Sequence, residues 1–154
     1  MAALVAKRDR IETLQRLASH TEASDARGLA ERLRALDTEE RRLQQIRGYL
    51  AEYSQSNGQS NGQSKSVTIG SLRSGRGFLE RLRGAVDEQR GAVETQRQLV
   101  DQQTLQWRAA RARTRSLEKL GERLGRQERD HRDQREQTRL DEVATSRSGP
   151  GQKV

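Results

Sequence analysis

The stretch Leu79-Glu-Arg-Leu82-Arg-Gly-Ala-Val86-Asp-Glu-Gln89-Arg-Gly-Ala-Val93-Glu-Thr-Gln96-Arg-Gln-Leu-Val100 carries an apolar residue or a glutamine alternately three and four positions apart. The spacing continues through Gln103, Trp107, Ala110, Thr114, Leu117, Gly121 and Leu124, so one heptad register runs from Leu79 to Leu124. Held over about six heptads, this period predicts a coiled-coil helix rather than an isolated surface helix. Past Leu124 the same positions are Glu128, His131, Arg135 and Thr138, and the seam turns polar. Glutamines in the seam, and helix-interior glycines (Gly48, Gly84, Gly91, Gly121, Gly125) each costing ~1 kcal/mol relative to alanine, predict a marginal, mobile coil.

Upstream, Ile11, Leu14, Leu17, Leu29, Leu33, Leu36, Leu43, Ile46, Leu50 and Tyr53 are mostly three, four or seven apart and predict one amphipathic helix. Its seam weakens between Ala18 and Asp25. The spacing Leu43, Ile46, Leu50 slips by one residue from the preceding leucines, which reads as a local change of supercoil. Between the two helices, Ser56-Asn57-Gly58-Gln59 is repeated as Ser60-Asn61-Gly62-Gln63, and a polar segment of this kind cannot bury enough surface to offset its ordering.

The fold class that follows is all-α: two long helices forming an antiparallel coiled-coil hairpin, with a flexible loop and a disordered C-terminal tail. The chain reads as a single hairpin, with helix 1 over about 6–54, the loop over about 55–69, helix 2 over about 70–142 and the tail over 143–154. Pairing symmetric about the loop would place Trp107 in a buried position near Leu14 and Leu17. It would also leave Leu120 and Leu124 almost without helix-1 partners. Pairs four apart, Glu12 with Arg16, Asp37 with Arg41, Glu122 with Arg126 and Glu128 with Arg132, are expected to add a few tenths of a kcal/mol each.

Composition agrees. Of 154 residues only 31% are apolar and 3% aromatic, while 34% are charged, which argues against a large globular core. The one proline is Pro150, so nothing interrupts a helix before the tail and strand-rich folds are excluded. With no cysteine, disulfides, thiolate metal sites and thiol nucleophiles are excluded. The longest apolar run, Ala2 to Ala6, is far short of a membrane span or signal-peptide core, and a cytoplasmic chain without membrane insertion is expected. His20 and His131 have no ligand cluster or triad partner nearby and read as solvated helix surface. The segment from Gly70 to Gly77 superficially resembles a phosphate-binding loop but lacks its lysine and its preceding strand. No catalytic, cofactor-binding or metal residue is assigned, and no enzymatic activity is expected.

The net charge of +8 raises a polyanionic partner. Arg108, Arg111, Arg113 and Arg115, followed by Lys119, mark a stretch that is free of acids from Gln102 to Ser116, and Arg108, Arg111 and Arg115 share a helical face. A solvated face, an acidic protein groove and nucleic acid all fit this pattern. Nucleic acid is disfavoured, because residues 1–53 are nearly balanced in charge and no aromatic interleaves the arginines from Arg108 to Lys119. Tyr49 and Tyr53 end helix 1 and Phe78 begins helix 2, so a hairpin brings all three to the loop end, as a plug or as a recognition patch.

In this order the elements resemble the flagellar export protein FliJ family and its type III secretion stalk relatives. Leu43-Gln-Gln-Ile-Arg-Gly-Tyr49-Leu-Ala-Glu-Tyr53 is similar to the family's Leu-x5-Tyr-x3-Tyr helix end, and Phe78-Leu-Glu-Arg-Leu82-Arg-Gly-Ala85 to its Phe-x3-Leu-x2-Ala motif. Arg126-Gln-Glu-Arg and Arg139-Leu-Asp-Glu142 resemble the family's C-terminal helix end. The resemblance implies a non-enzymatic coiled coil, similar to the central stalk of rotary ATPases, in the flagellar type III protein export apparatus. Its implied partners are the hexameric export ATPase ring, whose assembly and activity it promotes, the cytoplasmic domain of the membrane export gate, and export chaperones. Its implied location is the cytoplasmic face of the inner membrane at the flagellar base. Gate contact carries over to Ile46, Tyr49, Tyr53, Phe78, Leu82 and Ala85. Arg42 and Gln89 depart from the pattern, standing where the family has Gln and His. For the ATPase ring, the implied insertion of the end carrying both termini makes Arg108, Arg111, Arg115, Leu117, Leu120 and Leu124 the candidates. The alternative reading is a basic coiled-coil nucleic-acid-binding or chromosome-organising protein.

Overall fold

The computed structural model describes residues 2–60 and 69–149, with side chains described at all of these except 57–60 and 69–72. Two helices account for almost all of them: α1 (Ala2–Ser60) and α2 (Ile69–Arg147). There is no strand among the described residues. Both helices overrun the expected bounds. Residues 55–60, expected in the loop, continue α1, because no proline or left-handed residue breaks the i to i−4 ladder there. Residues 143–147, expected in a disordered tail, extend α2, where Thr145 and Ser146 hydroxyls donate to the carbonyls of Asp141 and Val143 and Arg147 faces the negative end of the helix dipole. The remaining loop and tail expectations, at 61–68 and 150–154, lie outside the described residues.

The residues group into two units, Met1–Ala23 with Ala109–Val154 (the terminal unit) and Ser24–Arg108 (the tip unit). In each, a segment of α1 runs antiparallel to a segment of α2. In the tip unit Gln89 meets Glu39 and Gln103 meets Asp25, so contacts climb one helix as they descend the other. In the terminal unit Gln15 meets Leu117 and Arg8 meets Glu128 in the same opposed order.

The α2 seam is the one the heptad predicts. Every position of that register from Leu79 to Glu128 is buried or half-buried, whereas His131, Arg135 and Thr138 are exposed. The α1 seam is different from the expected one. Leu14, Leu17 and Leu33 are exposed, and one row of covered positions runs through Leu4, Ile11, Gln15, Ala18, Glu22, Asp25, Leu29, Leu36, Glu39, Leu43, Ile46, Leu50 and Tyr53, with Glu12, Gly28, Ala30, Ala35 and Glu40 half-buried beside it. The row keeps a regular alternation of three and four, broken only where Arg8 and Arg32 stand exposed, so α1 needs no change of supercoil. The apparent slip came from placing Leu14, Leu17 and Leu33 in the seam and leaving Gln15, Glu22, Asp25 and Glu39 out.

Helix register also differs from pairing symmetric about the loop. Partners across the helices have residue numbers adding to about 130 rather than 122, as in Gln15 with Leu117 and Gln89 with Glu39. Leu14 and Leu17 therefore lie at the level of Leu117, not of Trp107, and Trp107 is half-buried in the tip unit. The same offset gives Leu124 its cover. It is 5% exposed, in a groove it shares with Ile11 and Gln15, contrary to the expectation that helix 1 would leave it bare.

Packing is thin. Leu43, Val86 and Val93 form the buried cluster of the tip unit, flanked by Leu36, Ile46 and Leu50, and no large side chain among the described residues is fully buried. Polar contacts supplement it. Of the expected pairs four apart only Asp37 with Arg41 forms, at 3.0 Å. Glu12 instead bonds Arg8 at 3.0 Å, and Glu128 reaches across to the same guanidinium at 3.1 Å, leaving Arg132 out. These two carboxylates, Glu12 first, raise the Arg8 pKa above its already high ordinary value.

Candidate functional site

Tyr49, Glu52, Tyr53 and Ser56 stand at i, i+3, i+4 and i+7 on α1 and so share one face of the helix. On α2, Phe78 and Leu82 are four apart and face them. The six residues line one groove. Its base is an edge-to-face contact between the rings of Tyr53 and Phe78, with centroids 4.8 Å apart and planes at 67°, the arrangement the ring quadrupoles favour. Tyr49 is 54% exposed and Phe78 43%, so each presents much of a ring outward. The Tyr49 hydroxyl accepts a hydrogen bond from the Gln45 side-chain amide at 3.1 Å, which restrains its direction without covering it.

Of the six residues that the sequence places at this end, four line the groove: Tyr49, Tyr53, Phe78 and Leu82. Ile46 packs inward against the Leu43, Val86 and Val93 cluster, and half-buried Ala85 is not among the lining residues. Sequence reasoning missed Glu52 and Ser56. Their signal was present, since both fall on the helical face already marked by the tyrosine pair.

The second candidate set is less coherent. Arg111 and Arg115 are exposed in the terminal unit, while Arg108 falls in the tip unit. Leu117 is half-buried, Leu120 is 36% exposed and Leu124 is buried in the seam. The exposed leucines flanking this part of the terminal unit are therefore Leu14, Leu17 and Leu120, two of which the sequence assigned to the seam. No group of three or more His, Cys, Asp or Glu among the described residues is placed to hold a metal ion. No described helix is long and apolar enough to cross a membrane.

An all-α chain of two antiparallel helices, with an aromatic groove made by the end of one and the start of the other, is the context in which the sequence comparison becomes decisive. The family described as "Flagellar FliJ protein" matches residues 7–153, nearly the whole chain. The chain belongs to that family. No curated protein and no solved structure matches it. The FliJ family is a non-catalytic component of flagellar protein export, and membership makes the chain a flagellar export component. In this FliJ family member the motif residues Tyr49, Tyr53, Phe78 and Leu82 come from both helices and meet in one groove.

Proposed function

We propose that the chain is a central stalk and adaptor of the flagellar export machinery. It engages the hexameric export ATPase ring through its terminal unit, promotes ring assembly and activity, and links the ring to the cytoplasmic domain of the membrane export gate, with export chaperones as further partners. This places it at the cytoplasmic face of the inner membrane. The observation that carries the reading is the Tyr53–Phe78 contact beside an exposed Tyr49, because an aromatic groove assembled from two helices suits recognition of an apolar partner segment. Arg111, Arg115 and exposed Leu14, Leu17 and Leu120 support a second contact surface in the terminal unit.

The test is a variant carrying Tyr49→Ala and Phe78→Ala, compared with wild type for binding the gate's cytoplasmic domain and for stimulating the export ATPase. Gate binding should weaken at least tenfold, the loss of about one hot-spot residue, while ATPase stimulation persists. Loss of both activities with helicity unchanged would mean that the groove is not a separate site.

A further inference from the structure

The apolar seam of the tip unit repeats itself. On α2, Val86, Val93 and Val100 occupy equivalent heptad positions, and on α1 so do Leu29, Leu36, Leu43 and Leu50. Sliding one helix past the other by a heptad would set valine against leucine as before. Apolar burial alone therefore separates neighbouring registers weakly, although such a slip moves the helices about 10 Å and would part Tyr53 from Phe78.

Polar residues at intervening seam positions do not repeat in this way. Gln89, Gln96 and Gln103 are seven apart on α2, and they stand opposite Glu39, Arg32 and Asp25, also seven apart but unlike one another. The Gln89 amide donates to the main-chain carbonyl of Glu39 at 3.0 Å and to a carboxylate oxygen of the same residue. The other carboxylate oxygen of Glu39 accepts from Arg42 at 3.4 Å. The Gln103 amide donates to the Asp25 carbonyl at 3.2 Å, and it fits there because Gly28 has no β-carbon, which would stand 2.9 Å from that nitrogen. Gln96 lies between them, opposite the exposed Arg32, and its side-chain oxygen is buried without a hydrogen-bond partner.

We propose that Gln89 and Gln103 are positioning residues that fix the register of the tip unit and so assemble the aromatic groove, the Glu39–Arg42 pair anchoring the clasp nearest the tip. The inference rests on the groove being the gate-binding site. A one-heptad slip in one direction puts Gln103 opposite Arg32 and an alanine opposite Asp25, vacating the Gly28 notch. In the other direction it sets Leu82 against Glu39. Either slip gives up a satisfied glutamine, and polar seam groups that demand one partner are known to select register at some expense of stability.

The chain has no cysteine, so a pair can be introduced into the full-length protein and joined with a short bis-maleimide. Glu40→Cys with Arg97→Cys reports the observed register, because those side chains meet at 3.4 Å. Glu40→Cys with Arg90→Cys or with Thr104→Cys reports a slip of one heptad either way. In the double variant Gln89→Met and Gln103→Met, which keeps side-chain volume, the ratio of in-register to slipped product is expected to fall about thirty-fold, and about fivefold for Gln89→Met alone. The thermal midpoint should hold or rise. Gln96→Met should raise the midpoint and raise the ratio, because a slip either way would bring Gln96 opposite Glu39 or Asp25. An unchanged ratio in the double variant, or an equal fall in Gln96→Met, overturns the register role; if the double variant loses helicity, the single variant decides. Binding of the gate's cytoplasmic domain should fall with the in-register fraction, and binding that ignores that fraction overturns the positioning role. Should wild type not bind the gate through the groove, the proposed function fails while the cross-link ratio still reports the clasps.

Discussion

The side-chain amide of Gln15 occupies the space that a β-carbon on Gly121 would fill, while donating at 2.9 Å to the carbonyl of Leu117 one turn earlier on the same helix. Gly121 is thus a notch for a cross-helix hydrogen bond. Gly84 and Gly91, by contrast, have nothing within 4 Å of where a β-carbon would stand. Gly84→Ala and Gly91→Ala should each stabilise the coil by ~1 kcal/mol through helix propensity. Gly121→Ala must displace the Gln15 amide, so its gain should fall short of theirs by about 1 kcal/mol, the net value of one hydrogen bond. Thermal unfolding followed by circular dichroism measures the difference, and equal midpoints for all three variants would contradict it.

The two leucines on neighbouring turns of the terminal unit should separate stability from binding. Leu124 is 5% exposed, and Leu124→Ala should cost about 2 kcal/mol, the low end for a buried leucine because a two-helix core has little to collapse around it. Leu120→Gln removes a side chain already 36% exposed and should cost less than about 1 kcal/mol. Urea unfolding gives both values. If the terminal unit engages the ATPase ring through its exposed leucines, Leu120→Gln should speed dissociation while the coil stays folded.

How much of this was legible in the sequence depended on which residues filled the seam. The α2 seam could be read through Gln89, Gln96 and Gln103 because valines, leucines and glutamines recur without competing apolar residues at the same spacing. On α1 that condition fails. Leu14, Leu17 and Leu33 offer a rival stripe, whereas Gln15, Asp25 and Glu39 are covered because α2 glutamines reach two of their carbonyls and Gln15 itself reaches one. Hydrophobicity alone cannot see that exchange. The offset of about eight residues in pairing was hidden for a related reason: what selects each glutamine's carbonyl is a glycine notch or a carboxylate, at Gly28, Gly121 and Glu39, and none of these is part of an apolar pattern. The tip was legible because aromatic residues are scarce, so their positions carried more information than any leucine's.

The ring pair at the tip should be measurable as an energy. Tyr53 and Phe78 meet edge to face at 4.8 Å, and such pairs are coupled by ~0.5–1.5 kcal/mol beyond the area they bury. A double-mutant cycle of Tyr53→Leu and Phe78→Leu, read by urea unfolding, should return a coupling in that range. Tyr49→Leu paired with Phe78→Leu should couple more weakly, since Tyr49 is 54% exposed and its hydroxyl is held by Gln45. Equal coupling for both pairs would show that the ring contact does not organise the groove.

Charge in the terminal unit should act on the rate of encounter. Arg111 and Arg115 are exposed, four apart on α2, in a stretch with no acidic residue from Gln102 to Ser116, so this part of the helix carries a concentrated positive charge. For a partner whose rim is acidic, charges of this kind steer approach more than they hold the complex, and the effect shrinks as salt screens it. Reversing both to glutamate should therefore lower the association rate with the export ATPase ring by roughly tenfold at low salt, flatten its salt dependence and change the dissociation rate little. Helicity should be unchanged, because neither side chain lies in the seam. Stopped-flow association at two ionic strengths separates the terms. A fall in ATPase stimulation that does not depend on salt would assign these arginines to close contacts instead. Tight duplex DNA binding by wild type that the same reversals abolish would favour the nucleic-acid reading over the ring.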